Sequence, residues 1–146
     1  MEVNYAKVFE YINTLAFFAW LLLLIAPYWK WTPRLLIGGV VTLFAALYVY
    51  GLSQSLSFED LENFTNLEGL MGLFTSPQAV VVGWLHYLAF DLMVGCFIVA
   101  NAARHQINRY LLIPCLLFTF MMGPTGLLLY LLLRWAITKE YFAAYH

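Results

Sequence analysis

Apolar residues in this chain gather into runs longer than a soluble helix needs. Such runs cover residues 8–29, 33–52, 77–101 and 109–134 with very few charges inside them. About 20 mostly apolar residues carry a helix across about 30 Å of hydrocarbon, so each run predicts one transmembrane helix. Thr32-Pro33 and Ser76-Pro77 mark two of the starts, each a hydroxyl N-cap followed by a proline whose missing N–H costs nothing in the first turn. Membrane strands would alternate apolar and polar residues in pieces of about ten, which these runs do not do. The expected fold class is therefore all-α: an integral membrane four-helix bundle, one domain over residues 1–146.

The one long connection, residues 57–74, has a different pattern. Apolar residues fall at 58, 61, 64, 67, 71 and 74, the spacing of an amphipathic helix, and Ser57 with Asp60 resembles a capping box. Its polar face carries Glu59, Asp60, Glu62 and Glu68 but no Lys or Arg. Helices that lie on anionic lipid usually show a basic face, so this segment is expected to be a lid packed on the bundle.

Composition agrees with the pattern and excludes several classes. Hydrophobic residues make up 64%, aromatics 18% and charged residues 10%, against about 25% charged in ordinary soluble domains. A soluble surface and disorder are both excluded. The net charge of −1 argues against a nucleic-acid surface. Residues 1–7 lack a clear positive region, so no cleaved signal peptide is expected. Cys96 and Cys115 fall inside runs and are expected to be small buried apolar residues rather than a disulfide. Four crossings would put both termini on one side. Lys30, Arg34, Arg104 and Arg109 would then face Lys7, Arg134 and Lys139, a four-to-three count that favours termini outside.

Ionisable residues inside membrane spans are rare and point to function. Asp91 lies near the middle of the third run, where an ionised, unpaired carboxylate is costly. His86 precedes it by five residues, about 7.5 Å along the axis and about 140° around it, so the two do not share a face. Tyr87 does share it, and Gly83, Tyr87, Asp91 and Gly95 form one stripe suited to close helix packing. Interhelical hydrogen bonding by Asp91 and His86 is the structural alternative to a chemical role. Glu10, Asn13 and Thr14 open the first run, Tyr48 and Tyr50 close the second, and Tyr130 and Arg134 close the fourth. In four crossings these would gather in the lid-covered half, predicting a cavity with Asp91 at its floor. Glu10 and Arg134 could pair there or snorkel. In Met121-Met122-Gly123-Pro124-Thr125-Gly126 the proline predicts a kink, and Pro114 a bend at the start of the same helix.

Several chemistries lack their residues. One histidine in the spans cannot build a multi-histidine metal site or a pair of haem ligands, and no nucleotide-binding fingerprint occurs. No metal and no cofactor is expected. Acid–base chemistry remains the natural class for an enzyme.

Phe74-Thr75-Ser76-Pro77, then Gly83-Trp84, His86-Tyr87-Leu88-Ala89-Phe90-Asp91 and Val94-Gly95, then Pro114-Cys115-Leu116, Thr119-Phe120-Met121, Gly123-Pro124 and Gly126-Leu127-Leu128-Leu129-Tyr130 strongly resemble the abscisic-acid-deficient-4-like family. Its plant members are neoxanthin synthases or are required for neoxanthin formation. The match covers the third and fourth runs and the loop before them; the first two agree only in pattern. The resemblance implies a membrane protein of carotenoid metabolism that isomerises a carotenoid or related isoprenoid without a cofactor. An epoxide would be opened by an acid, Asp91, while a base, His86, removes a proton. Trp84, Tyr87, Tyr130, Arg134, Glu10 and Asn13 would contact the substrate. Without the plastid transit peptide of the plant members, a bacterial-type homologue in a bacterial inner membrane is expected, its substrate left open. The expected partners are a hydrophobic small molecule and membrane lipids, with no nucleic acid; a homo-oligomer or larger membrane complex is left open. A non-catalytic carotenoid- or quinone-binding or assembly subunit is the alternative. Proton or ion conduction is less well supported, because one half of the bundle is nearly bare of polar groups.

Overall fold

The computed structural model describes residues 3–55 and 58–139 and is helical throughout that range apart from short turns. Helix α1 spans Tyr5–Ile25 and is capped by Asn4, whose side chain accepts from the Lys7 N–H at 3.1 Å. The chain turns over residues 26–31, where the Thr32 hydroxyl donates to the Ala26 carbonyl at 2.7 Å. A second rod, Thr32–Ser55, then runs back: α2 (Thr32–Leu35), one wide π-helical stretch (Leu36–Val41) and α3 (Thr42–Ser55). The π stretch has a local cause. Gly38 and Gly39 hold the helix weakly, and the Thr42 hydroxyl bonds the carbonyl five residues back, on Ile37, at 2.8 Å.

The 57–74 connection is helical in two pieces, a 3₁₀ segment Phe58–Thr65 and helix α4, Leu67–Leu73. Asn66 separates them because it is spent as the cap of α4, accepting from the Gly69 N–H at 2.7 Å. The expected capping residue Ser57 lies outside the described residues. Helix α5, Pro77–Arg104, begins where Ser76-Pro77 places it, the Ser76 hydroxyl accepting from Ala79 N–H at 3.1 Å. It is the central element: Leu85, Leu92, Ile98 and Ala102 are buried against the rest of the molecule. Gly95 admits α1 so closely that a β-carbon there would come within 2.6 Å of the Trp20 ring.

The fourth run departs from expectation. Its pattern predicts one crossing helix over 109–134, bent by proline; instead two antiparallel helices form, α6 (Arg109–Met122) and α7 (Pro124–Thr138). Pro114 sits inside α6 without ending it. Gly123 does end it, at φ +29°, a conformation that L side chains rarely adopt. Pro124 then opens α7 from its first position, so the break is a full turn and not a kink. Gly126 allows the return: any β-carbon there would run into the Thr119 N–H and hydroxyl and the Cys115 carbonyl. Each arm is about 21–22 Å long at about 1.5 Å per residue, short of a hydrocarbon core. Among the described residues three helices, Tyr5–Ile25, Thr32–Ser55 and Pro77–Arg104, are long and apolar enough to cross a membrane.

Two clusters make the core. Ile12, Ala16, Phe44, Val81 and Leu85 join α1, α3 and α5 at the lid end. At the other end Trp20, Leu23, Leu92, Ile98, Leu112 and Tyr130 bring the α6–α7 hairpin against α1 and α5.

Candidate functional site

Asp91 stands at residue 15 of the 28 in α5, and the hairpin tip meets it there. A β-carbon on Gly123 would touch Asp91 Oδ1 and lie 3.0 Å from its Cγ and 3.2 Å from its Oδ2. The carboxyl therefore occupies the space that a side chain at 123 would fill. Two weak helix formers in tandem, glycine then proline, break the span at this depth, and the carboxyl of the neighbouring helix is seated in the break.

His86 is held separately. Its ring packs 4.7 Å from Phe90, 5.6 Å from Tyr48 of α3 and 6.2 Å from Tyr87, centre to centre. It lies close enough to Asp91 to interact electrostatically, yet among the described residues no hydrogen bond joins them. Tyr48 also lines a pocket of about 120 Å³ beneath the lid, together with Leu52, Phe64, Phe74, Val82 and Gly83. Phe74 presses on Gly83, where an added β-carbon would lie 2.7 Å from the ring.

Towards the lid end, the face of α5 that carries Asp91 continues with Tyr87 and Trp84. Trp84 Nε1 donates to Asn13 Oδ1 at 2.9 Å, Asn13 Nδ2 donates to the Phe9 carbonyl at 2.7 Å, and the Phe9 and Trp84 rings lie 5.6 Å apart. Towards the C-terminal end of α5 the same face is covered by the hairpin, and Ile98 and Ala102 there are completely buried. The hairpin stops at Asp91, so Trp84 and Tyr87 stay 39% and 60% exposed. The result is an exposed aromatic face, Phe9 of α1 with Trp84 and Tyr87 of α5, on the side of α5 that carries Asp91. Among the described residues no three His, Cys, Asp or Glu side chains converge as metal ligands would.

The structure thus brings Asp91, Tyr87, Trp84 and Asn13 to one face of the molecule, with His86 beside them. Glu10 is exposed in the first turns of α1. Four crossings would put Tyr130 and Arg134 at that same end, Arg134 as a partner for Glu10; the fold-back displaces both. The Tyr130 hydroxyl donates to Asn101 Oδ1 at 2.6 Å and Arg134 Nη1 donates to the same atom at 3.1 Å, at the far end of α5. Tyr130 is fully buried and Arg134 5% exposed. In the sequence Asn101 is only an isolated polar residue in a bare half. The signal for its role is the Gly-Pro-x-Gly turn dividing the fourth run into two short arms.

These features define a protein that is helical in its described residues, with a carboxyl midway along a long apolar helix and an exposed aromatic face beside it. The family model of the ABA4-like proteins (ABA DEFICIENT 4-like) matches residues 7–130, so the chain belongs to that family. No curated protein and no solved structure matches it.

Proposed function

We propose that the protein is a multi-pass protein of a bacterial inner membrane that binds a carotenoid or related isoprenoid and isomerises it by acid–base chemistry without a cofactor. The observation that carries this reading is the Asp91 carboxyl at the Gly123 break, the one carboxyl among the described residues held midway along a crossing helix. Asp91 is the acid: its proton goes to an epoxide oxygen and the C–O bond breaks. His86 is the base: it takes a proton from a neighbouring carbon, leaving an allenic alcohol with the composition of the starting epoxide. Acid and base act on different atoms, so they must not quench each other by sharing a proton. The lack of an Asp91–His86 hydrogen bond is consistent with that. Phe9, Trp84 and Tyr87 offer ring faces to the polyene, and Asn13 fixes Trp84 in place. Tyr130 and Arg134, hydrogen-bonded to Asn101 at the far end of α5, are left out of the substrate contacts in this reading.

The test is Asp91→Asn and His86→Ala in carotenoid-producing cells, read by pigment chromatography. Loss of the product pigment with normal membrane insertion supports the reading, and unchanged pigments overturn it. A pigment or quinone that co-purifies in fixed ratio and survives Asp91→Asn, without pigment conversion, would make the protein a binding or assembly subunit instead.

A further inference from the structure

The fold-back changes where the charges lie. With α7 returning beside α6, Arg134 and Lys139 come to the end that already holds the α1–α2 turn and the α5–α6 link. Six of the seven basic residues, Lys30, Arg34, Arg104, Arg109, Arg134 and Lys139, then share one end, and only Lys7 is at the other. Among the described residues, Glu10, Glu62 and Glu68 belong to the opposite, lid end. Five of the six cations are exposed. Three are held against rings at the same depth: Lys30 and Arg34 lie 5.8 and 5.0 Å from the centre of Trp31, and Arg109 5.4 Å from that of Tyr110. Tyr28, Trp29 and Trp135 are exposed alongside. Amphipathic rings beside clustered Lys and Arg are the composition of a headgroup-layer belt.

We infer that this end is a binding face for the anionic phospholipid headgroups of the cytoplasmic leaflet. The chain crosses the membrane three times, and the hairpin enters and leaves from the cytoplasmic side. The N-terminus and lid lie outside and the C-terminus inside, which replaces the four-to-three count of a four-crossing chain by six to one. The exposed aromatic face beside Asp91, if the proposed chemistry holds, then lies in the outer half of the bilayer; the basic face itself does not depend on that chemistry.

Two measurements on the full chain test this. In intact cells a membrane-impermeant maleimide should label Glu62→Cys, while Trp29→Cys and Lys139→Cys label only after permeabilisation; the native Cys96 and Cys115 are buried. Labelling of positions 62 and 139 from the same side, or the reverse pattern, overturns the inference. In nanodiscs, replacing part of the phosphatidylcholine by phosphatidylglycerol should raise the melting temperature of the wild type by several degrees. A variant with Lys30→Gln, Arg34→Gln, Arg109→Gln and Lys139→Gln should lose at least half of that rise. The control Glu10→Gln, Glu62→Gln, Glu68→Gln should keep it. An equal rise in the wild type and the fourfold variant, or none in the wild type, overturns the lipid face.

Discussion

Helix α5 and the α6–α7 hairpin are built from apolar stretches of similar length and meet different fates. The first, Pro77–Arg104, stays one helix although it contains Gly83, Gly95 and Asp91. The second, beginning at Arg109, doubles back at Gly123-Pro124. Glycines alone do not break a helix when a neighbour packs into the space they leave, as Trp20 does at Gly95 and Phe74 at Gly83. A glycine before a proline does, because the proline withdraws an N–H and crowds the preceding turn while the glycine accepts the reversed backbone. Gly126, three residues on, then lets the two arms touch. Hydrophobic length therefore sets which helices are long enough to cross a membrane, and Gly-Pro with a second glycine allows this stretch to fold back on itself.

Substitutions in the second stretch test that difference. Gly126→Leu should have the largest effect, since its side chain meets the α6 backbone and no rotamer removes the overlap. A loss of about 3 kcal/mol or more is expected, read as reduced membrane yield and a lower melting temperature. Asn101→Leu should follow at about 2–3 kcal/mol, because it strips both the Tyr130 hydroxyl and the buried Arg134 of their shared acceptor. Gly123→Ala should cost about 1–3 kcal/mol from its backbone alone, plus the clash with Asp91. In a double-mutant cycle Asp91→Ala should recover the clash and leave the backbone cost, so strict additivity of the two changes would show that the carboxyl does not sit in the break. Tyr130→Phe should be mildest, about 0.6 kcal/mol, typical of a hydrogen bond between membrane helices. In α5, Gly95→Ala tests the converse: it should weaken packing against Trp20 while α5 remains one helix by circular dichroism.

Much of this molecule is legible in its amino-acid sequence. The starts of α2 and α5 follow from Thr32-Pro33 and Ser76-Pro77, and the three helices long enough to cross a membrane follow from apolar length. The lid pattern predicts a single amphipathic helix, whereas Asn66 divides it; a cap residue within a periodic pattern carries no warning in the periodicity itself. Of the candidate site, Asp91 stands out because a carboxyl in an apolar run is costly, and Tyr87 and Trp84, the latter bonded to Asn13, lie on the same face of α5. Counting four crossings, by contrast, puts Tyr130 and Arg134 at the wrong end. One undetected reversal moves everything downstream of it to the opposite side.

The amino-acid sequence by itself determined the apolar character, the helical class and the one carboxyl set within a long apolar run, since transfer energies and backbone hydrogen bonding act on each segment separately. Tertiary structure alone decided that Asp91 is seated at Gly123, that Asn101 joins Tyr130 to Arg134, and that the basic residues share one end. Each of these depends on contact between segments that hydropathy treats as independent. Whether a glycine–proline pair bends a helix or reverses it is settled only by what the returning arm can pack against, here the α6 backbone at Thr119 and the face of α5 around Ile98.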